Sequence, residues 1–217
     1  MRRGVIFGTG GMGQLVMDHY TKGLFNDLVT IDYFYVDSEF KDMDTFYDRP
    51  VISNLDDLEG DPSEYFYWIA VMDIRARKKF ARLANQNNMI SFNIIHPNAS
   101  IGSDVTIGKG CLIGEQSIIE GKCIIGDHVV IGSQTRIGHH TSIGDFSQIS
   151  NQSCIGGYNL IGDRVMINTK ACTASDITIA PGAILGMGAC VFKDVPKGSV
   201  MIGNPAKSIR TKKALDV

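Results

Sequence analysis

The stretch IGDHVVIGSQTRIGHHTSIGDFSQ, residues 125–148, consists of four successive hexads that each open with Ile-Gly. The same spacing runs from Ile101 to Val191, where fifteen of sixteen hexads open with an aliphatic residue and Thr173 is the exception. A period of six excludes an α-helix, whose apolar residues recur every 3.6 positions. A repeat this long also excludes a single hairpin. The pattern instead predicts short strands that direct an aliphatic side chain inward at every step.

These hexads predict a parallel β-helix in which three successive hexads close one coil. Successive coils would then stack at the spacing of hydrogen-bonded strands, roughly 4.8 Å. The fifth position of the hexad is mostly small or β-branched and is expected to point into a narrow interior. The glycine beside the aliphatic residue is expected to supply backbone conformations that other residues resist. No loop should interrupt the register between residues 101 and 196.

Two outward columns, each with one residue from every coil, bear on function. One is largely apolar and should face water in a single chain, so it predicts contact with another subunit. It contains Leu112, Val130, Gln148, Met166 and Ile184. The other column stacks Cys154, Cys172 and Cys190. Because no adjacent His or Cys completes a tetrahedral set, these cysteines favour packing at a subunit contact over a metal site.

The first part of the chain follows a different pattern, in which strands alternate with helices. Strands are predicted at VIFG (5–8), DYFYVD (32–37), YFYWIAV (65–71) and SFNII (91–95). Helices are predicted for QLVMDHYTKGL and for IRARKKFARLANQN. This alternation predicts a small α/β Rossmann-like N-terminal domain with a parallel sheet of three or four strands. The expected domains are therefore residues 1–95 and residues 96–217.

A glycine-rich loop joins the first strand to the first helix. Residues 8–13, GTGGMG, match the spacing GxGxxG, whose backbone N–H groups and helix N-terminus suit a phosphate. Asp37 ends the next strand, where an acid could bind a ribose. Three or four strands amount to half of a dinucleotide-binding unit, so the expected ligand is a mononucleotide or a nucleotide sugar and not NAD. A tight turn without any ligand remains the alternative.

Composition excludes several other classes of protein. The 217 residues carry a formal net charge of −2, which argues against a nucleic-acid-binding surface. No window of about 18 apolar residues is present, so no membrane span is expected, and the first residues do not resemble a signal peptide. Five cysteines without a CxxC pair fit a reducing cytosol, so the expected location is cytoplasmic.

Three features together resemble the left-handed β-helix acyltransferases: the Ile-Gly hexads, the GTGGMG loop, and GMGACVFKDVPKGSVMIGNPAKSIR at 186–210. More narrowly, IAVMDIRARKKF (69–80) and IHP (95–97) resemble sugar O-/N-acyltransferases related to sialic acid O-acetyltransferase and to N-acetyltransferases of nucleotide-linked 4-amino-4,6-dideoxy sugars. The resemblance implies a left-handed coil, acetyl-CoA as co-substrate without a metal, and a homotrimer with active sites between subunits. It also implies a role in polysaccharide biosynthesis.

The resemblance implies that His139 is the general base. It would remove a proton from the acceptor amine as that amine attacks the thioester carbonyl, and a nearby backbone N–H would stabilise the oxyanion. Imidazole suits this role because its unperturbed pKa is near 6.5. Many relatives have an acidic residue after this histidine, whereas this chain has His140. A neutral His140 could orient the ring, Asp145 could take the place of the acid, or the base could work without one.

The resemblance also assigns binding residues. Those for the nucleotide sugar are Thr9, Gly10, Gly11, Gly13, Asp37, Ser38, Asp73 and Arg77. Those for CoA, on the outer face of the later coils, are Gln148, Gly157, Gly186, Gly188 and either Lys207 or Arg210. Gln148 replaces a histidine of some relatives, and Met72 replaces a common glycine.

Three functions remain in competition at this stage. The first is an N-acetyltransferase acting on a nucleotide-linked amino sugar, favoured by the glycine loop in a small α/β domain. The second is an O-acetyltransferase acting on a hydroxyl, for example of a sialic acid. The third is a scaffold without catalytic activity. The sequence leaves open which nucleotide base and which sugar are bound.

Overall fold

The computed structural model describes residues 2–25 and 29–211, except for the side chains of residues 210 and 211. The chain divides into two compact units, Met1–Asn93 and Ile94–Val217. The division follows Asn93, two residues before the boundary drawn from the sequence. Neither of the described α-helices is long and apolar enough to cross a membrane.

The first unit is built on one open sheet. Its strands are β1 (Arg3–Phe7), β2 (Thr30–Tyr35), β3 (Thr45–Phe46), β4 (Arg49–Ile52), β5 (Tyr65–Ile69) and β6 (Ile90–Ser91). Its α-helices are α1 (Gly11–Thr21) and α2 (Ile74–Gln86), and short 3₁₀ turns cover Ser38–Phe40, Leu55–Asp57 and Pro62–Glu64. The sheet order is β3-β4-β2-β1-β5-β6, with every neighbouring pair parallel except β3 and β4.

This sheet corrects the strand count taken from the sequence. The described part of the first unit has six strands and not three or four, because the hairpin β3–β4 was missed. Its turn residues Tyr47 and Asp48 are left-handed, with φ 50° and 58°, yet neither is the glycine that usually signals such a turn. The strand count therefore no longer argues against a dinucleotide. Two α-helices accompany the described sheet, and a Rossmann-like domain stays a prediction.

The second unit is a stack of short parallel strands that begin every six residues from Ile94 to Cys190. The two-residue strands are β7 (Ile94–Ile95), β8 (Ser100–Ile101), β9 (Thr106–Ile107), β10 (Leu112–Ile113), β11 (Ile118–Ile119), β12 (Ile124–Ile125), β13 (Val130–Ile131), β14 (Arg136–Ile137), β15 (Ser142–Ile143), β16 (Gln148–Ile149), β17 (Cys154–Ile155), β18 (Leu160–Ile161), β19 (Met166–Ile167), β20 (Cys172–Thr173), β21 (Thr178–Ile179), β22 (Ile184–Leu185) and β23 (Cys190–Val191). The longer strands β24 (Ser199–Ile202) and β25 (Lys207–Thr211) follow.

Each short strand from β7 to β20 pairs in parallel with the strand three hexads later, as Ile119 does with Ile137. The result is three stacks, one starting at β7, one at β8 and one at β9. Strands β24 and β25 extend the first of these stacks. The predicted parallel β-helix with three hexads in each coil is confirmed, and the stacks fit a left-handed coil. The coil begins with β7, one hexad earlier than the sequence indicated.

The interior of the coil is filled as the hexads predicted. The isoleucines that open the hexads from Ile113 to Ile167 are at most 3% exposed. The small fifth residues also point inward, where several of them bond a carbonyl of the next coil. Ser117 Oγ donates to Gly132 O at 2.8 Å, and Ser147 Oγ donates to Gly162 O at 2.8 Å. These bonds satisfy carbonyl groups that would otherwise be buried without a partner.

The glycine at the second hexad position has a different role from the one expected. A Cβ on Gly138 would lie 2.5 Å from Gly157 N, and one on Gly114 would lie 2.5 Å from Ser133 N. These glycines do not have positive φ, whereas the corner residues two positions later do, including His140 at 58°. At Gly138 and Gly114 the missing side chain therefore serves the close approach of the next coil and not conformational freedom, although six of the sixteen hexads carry another residue at this position.

The one hexad that opens with a polar residue is explained by a buried amide. Asn159 occupies a fifth position and is fully buried. Its Nδ2 donates to Thr173 Oγ1 at 2.6 Å and to Ala174 O at 3.0 Å, while its Oδ1 accepts from Ile177 N at 2.9 Å. Thr173 therefore replaces the usual isoleucine because it satisfies this amide.

The apolar column was expected to face water in a single chain, and this expectation is wrong for three of its five residues. Leu112, Val130 and Gln148 are 3%, 6% and 5% exposed within the single chain. The other two, Met166 and Ile184, are half-buried. The column therefore does not by itself indicate a second subunit.

We expect Thr173→Val to destabilise the coil by roughly 1–3 kcal/mol, because it removes the acceptor of the Asn159 amide while keeping the side-chain shape. Urea unfolding monitored by circular dichroism measures the change. Thr106→Val, on the exposed outer face of β9, is the matched control and should leave the unfolding midpoint nearly unchanged. Equal midpoints for the two variants would contradict the assigned role of Thr173.

Candidate functional site

A cavity of about 410 Å³ opens at the carboxyl ends of β1, β2 and β5 in the first unit. Its lining residues are Gly8, Thr9, Gly10, Gly11, Met12, Val36, Asp37, Phe40, Ala70, Val71, Met72, Asp73, Ala76 and Phe80. Open parallel sheets bind ligands outside the carboxyl ends of their strands, at the point where the strand order reverses. The glycine loop predicted from the sequence therefore forms one wall of a real cavity.

The glycines of the loop divide into two that pack and two that stay open. Gly8 is left-handed with φ 119°, and a Cβ there would lie 2.8 Å from Ala70 O. A Cβ on Gly13 would lie 2.5 Å from Gly8 O, so Gly13 packs behind the loop. A Cβ on Gly10 or Gly11 would meet no atom within 4 Å. Gly10 caps α1 without a side chain, which leaves the positive end of the helix open toward the cavity.

The structure brings together most, but not all, of the residues expected to bind the sugar nucleotide. Thr9, Gly10, Gly11, Asp37 and Asp73 line the cavity, with Gly13 directly behind it. Two expected residues lie outside the lining. Ser38 is exposed on the turn after Asp37, and Arg77 is buried on α2 with 1% exposure.

The two acidic residues of the cavity are held by different partners. Asp37 Oδ2 lies 2.7 Å from Lys79 Nζ, and this hydrogen bond raises the pKa of Lys79. Asp73 Oδ1 accepts from Ala76 N at 2.8 Å and so caps α2. Asp37 is thus part of an ion pair at the rim, whereas one oxygen of Asp73 is already used by the helix.

Sequence reasoning missed Lys79 and Phe40. Lys79 lies on α2, six residues after Asp73. Phe40 lines the cavity although its side chain is 68% exposed, so it forms an aromatic edge at the mouth. An aromatic residue three positions after Asp37, the acid that closely follows β2, was the available signal.

The paired histidines lie at the corner that follows β14, and Tyr158 from the corner of the next coil packs against them. His139 and His140 are both exposed, and Tyr158 is three hexads beyond His140. The His140 ring stacks on Tyr158 with centroids 4.7 Å apart and planes 19° apart. The His139 ring meets Tyr158 edge-on at 5.0 Å and 88°. Tyr158 was also missed, although its offset of one full coil was readable from the repeat.

The position of the His139 ring depends on a glycine in the next coil. A Cβ on Gly157 would lie 3.0 Å from His139 Cε1 and 3.2 Å from His139 Nε2. Any other residue there would press on the imidazole. Gly157, expected at the CoA site, therefore lies directly against the ring of the expected base.

The two histidine rings contact each other through nitrogen. His139 Nδ1 and His140 Nδ1 are 3.1 Å apart, within hydrogen-bond distance. The ring planes are nearly perpendicular, at 87°. His140 is therefore placed to orient the His139 ring, as one of the alternatives from the sequence stated.

The carboxylate nearest to His139 is Glu120 and not Asp145. Glu120 Oε2 accepts from His139 N at 2.9 Å, and Glu120 Oε1 accepts from Arg136 Nε at 2.9 Å. The Arg136 hydrogen bond, followed by the His139 N–H, lowers the pKa of Glu120. Asp145 lies at a different corner, where its Oδ1 accepts from Asp127 N at 2.8 Å. Glu120 therefore holds the backbone of the corner and leaves the imidazole to His140.

The residues expected to bind CoA do not form one cluster within the single chain. Gln148 is buried on β16, and its Nε2 donates to Ser150 Oγ at 3.3 Å. Gly186 packs beneath β24, since a Cβ there would lie 2.8 Å from Ile202 Cγ2. Gly188 is an open corner with φ 66°.

The remaining residues expected at CoA lie elsewhere on the second unit. Gly157 is at the corner beside His139, and Lys207 is exposed at the start of β25. The side chain of Arg210 lies outside the described part of the chain. Whether a second subunit completes this set stays a prediction.

The three outward cysteines stack as the repeat indicated. Cys172 pairs with Cys154 on one side and Cys190 on the other, with the sulfur atoms of Cys172 and Cys190 3.1 Å apart. The hydrogen bond to Cys190 raises the pKa of Cys172 to about 11. A thiol held in its protonated form is a poor metal ligand. Within residues 2–25 and 29–211, no group of three or more His, Cys, Asp or Glu is arranged to hold a metal.

Comparison with solved structures gives matches along nearly the whole chain. The acetyltransferase domain of PglB from Neisseria gonorrhoeae FA1090 aligns with a TM-score of 0.83 and 23% identity, over 96% of this chain and 100% of that one. A histidine variant of perosamine N-acetyltransferase from Caulobacter crescentus, in complex with CoA and GDP-perosamine, gives 0.67 and 22% over 94% and 95%. WeeI from Acinetobacter baumannii AYE gives 0.65 and 23% over 95% and 99%.

The chain has the fold of these acetyltransferase structures. The resemblance noted in the sequence is thus confirmed for the fold of both units. The GMPPB C-terminal domain family model matches residues 85–182, from the end of α2 through most of the β-helical unit. A search among curated proteins found no match.

We expect Glu120→Gln to lower the thermal midpoint at pH 7 by roughly 1–3 °C, because it removes the anionic partner of Arg136. The pKa of Glu120 is lowered in the folded chain from its ordinary value of 4.5. The stabilisation is therefore present above that value and is lost as the pH falls through the lower, folded pKa.

Thermal melts from pH 7 down to pH 3 check this expectation. The difference between the variant and the unsubstituted chain should narrow at the acidic end. Glu115→Gln, at an exposed corner, is the matched control and should give no pH-dependent difference. A difference that stayed constant across this range would show that the charge of Glu120 is not responsible.

Proposed function

We propose that the protein is an acetyl-CoA-dependent N-acetyltransferase acting on the amino group of a nucleotide-linked amino sugar. The observation that carries this proposal is the imidazole of His139, exposed on a β-helix and held at Nδ1 by a second histidine. It occurs in a chain whose other unit presents an open glycine loop to a cavity. Both parts are needed for a reaction that transfers the acetyl group of a thioester to a sugar nucleotide.

The His139 ring supplies the base. Its Nε2 lies over Gly157, where the absence of a side chain leaves the nitrogen accessible. The acceptor amine attacks the thioester carbonyl of acetyl-CoA, and the amine proton passes to Nε2 as the C–N bond forms. Collapse of the tetrahedral intermediate breaks the C–S bond, and the leaving CoA thiolate takes the proton from His139 Nε2, which restores the neutral base. The products are the acetamido sugar and CoA, without an acyl-enzyme.

The cavity of the first unit supplies the sugar-nucleotide site. The open end of α1, with Gly10 and Gly11, suits a diphosphate because helix N-terminal N–H groups attract anions. Asp37, two residues after β2, suits the ribose hydroxyls, and Phe40 offers a flat apolar surface to a base. The perosamine N-acetyltransferase structure of the same fold holds GDP-perosamine and CoA, which supports this class of acceptor.

The proposal includes assembly and location. A homotrimer would bring the separated residues expected at CoA, such as Gly188 and Gly157, against a neighbouring chain. A cytoplasmic enzyme of surface polysaccharide biosynthesis would meet both acetyl-CoA and sugar nucleotides. Sedimentation equilibrium tests the assembly, and a mass of one chain would contradict the trimer.

A panel of acceptors with acetyl-CoA tests the reaction. We expect CoA release with at least one UDP-, dTDP- or GDP-linked 4-amino sugar, and no release with sialic acid or other hydroxyl acceptors. Release with hydroxyl acceptors alone would contradict the N-acetyltransferase and favour O-acetylation.

In the same assay His139→Ala should lower kcat by about 100-fold or more, because the base is lost. Gln116→Ala, at an exposed corner with the same left-handed backbone, is the control and should retain activity. An active His139→Ala would remove His139 from the mechanism.

Binding of the diphosphate is tested separately at Gly11, the first residue of α1. We expect Gly11→Glu to weaken binding of UDP, dTDP or GDP by at least roughly tenfold, because a carboxylate would face the anion. The variant should still fold, since an acidic residue favours the first turn of a helix. Gly11→Ala, whose Cβ meets no atom, is the uncharged control and should bind within about threefold of the unsubstituted chain. Calorimetry measures both, and equal affinities would contradict the site.

A further inference from the structure

The histidine corner differs from a base paired with an acid, because the partner of the His139 ring is a second imidazole. His139 Nδ1 and His140 Nδ1 are 3.1 Å apart. The nearby carboxylate of Glu120 is occupied by His139 N and by Arg136. Within the described residues, the nitrogen that faces His139 Nδ1 is therefore His140 Nδ1.

Two neutral arrangements of this pair have opposite consequences. If His139 Nδ1–H donates to His140 Nδ1, then His139 Nε2 carries a lone pair and can accept a proton. If His140 Nδ1–H donates instead, then His139 Nε2 carries the hydrogen and cannot act as a base. The direction of this single hydrogen bond therefore decides whether His139 Nε2 can act as a base.

Tyr158 fixes the second ring. It stacks on His140 at 4.7 Å and 19° while its edge contact with His139 is 5.0 Å. Both His140 and Tyr158 are left-handed with φ 58°, so the backbone places one ring over the other. The same corner device recurs at His128 and Phe146, stacked at 4.9 Å and 19°, which shows that Phe is also accepted at such a corner.

We propose that His140 is a positioning residue that accepts the Nδ1–H of His139, and that Tyr158 holds His140 in place by stacking. This inference rests on the proposed function of His139 as a base. In this proposal a neutral imidazole orients the base, whereas many relatives have an acidic residue at this position.

Proton transfer follows from this arrangement. When the acceptor amine gives its proton to His139 Nε2, the His139 ring becomes an imidazolium, and its Nδ1–H bond to His140 becomes charge-assisted and stronger. The pair then holds one extra proton and one positive charge. A proton taken up by His140 Nδ1 instead would place two donors face to face and abolish the base.

Other charged groups surround the corner. Glu120, directly after β11, and Arg136, on β14, form an ion pair. In the stack of left-handed corner residues, Lys122 lies one coil before His140, and Asp176 lies one coil after Tyr158. These two charges have opposite sign and flank the stack from either end. The fall of kcat/KM at low pH, called the acid limb, should therefore report protonation of the histidine pair.

Two substitutions of His140 separate its role as a hydrogen-bond acceptor from its stacking on Tyr158. His140→Asn places a carbonyl oxygen near the position of Nδ1, and Asn tolerates a left-handed backbone. His140→Phe keeps a flat ring on Tyr158 but offers no acceptor. We expect kcat within about fivefold for Asn and about 10- to 100-fold lower for Phe. The acid limb of kcat/KM should move to lower pH, more for Phe than for Asn, because less support remains for the imidazolium.

Two substitutions of Tyr158 test whether its stacked ring holds His140 in place. Tyr158→Phe keeps the stacked ring and should retain kcat. Tyr158→Asn keeps the left-handed corner but removes the ring, and should lower kcat in the direction of His140→Phe with little change in KM. Equal rates for these two variants would overturn the role of Tyr158.

The failure of this inference is distinguishable from failure of the proposed function. His140→Phe with an unchanged kcat and an unchanged acid limb would overturn the positioning role while the acetyltransferase stands. If the unsubstituted chain acetylates no acceptor, ¹⁵N spectra of the histidine rings still test the geometry. We expect the Nδ1–H tautomer at His139 in the unsubstituted chain and in Tyr158→Phe, and its loss in His140→Phe. The Nε2–H tautomer at His139 in the unsubstituted chain would overturn the inference.

Discussion

The close approach of successive coils is the constraint on which the second unit depends. A side chain at Gly138 would collide with Gly157 N, because the Cβ position is only 2.5 Å from that atom. At Gly138 the missing side chain leaves room for the next coil, and Gly138 N donates to Ile155 O at 2.9 Å. The same backbone bond forms where this hexad position is not glycine, as from Ser150 N to Ile167 O at 2.7 Å. The stacking fixes an offset of three hexads between neighbours. Every outward side chain then lies above the equivalent residue of the preceding coil, and the fold becomes a set of columns.

The histidine corner is a direct result of that offset. Gly157 lies over His139, and Tyr158 lies over His140, because each is one full coil further along the chain. The missing side chain gives the His139 ring room, and the aromatic ring stacks on the face of His140. Glu120, which precedes the corner one coil earlier, accepts the His139 N–H and anchors the loop. One register therefore supplies space, orientation and anchoring to the same imidazole.

In the first unit, glycine residues again matter because they lack a side chain, here beside the cavity. Gly13 packs against Gly8 O so that α1 can start close to β1, and Gly10 and Gly11 stay open above it. The helix thus presents its positive end to a cavity whose rim carries the ion pair of Asp37 and Lys79. In both units, glycine acts through the side chain it lacks. In one case the space is filled by another coil or an imidazole ring, and in the other it is left open at the cavity.

The sequence alone determined the β-helix, its coil of three hexads and the inward positions, because a period of six repeated over sixteen hexads has few physical solutions. It also located the glycine loop that lines the cavity, while the role of His139 stays a prediction. It missed the hairpin β3–β4, whose left-handed turn uses Tyr47 and Asp48 in place of glycine. It placed the apolar column in water, although burial of Leu112 and Val130 depends on long-range packing that no local pattern records. Only the tertiary structure decided that His140 faces His139 through Nδ1, that Glu120 holds the backbone instead of the ring, and that Arg77 lies outside the cavity. Those outcomes depend on side-chain directions and distances, which a one-dimensional pattern does not contain.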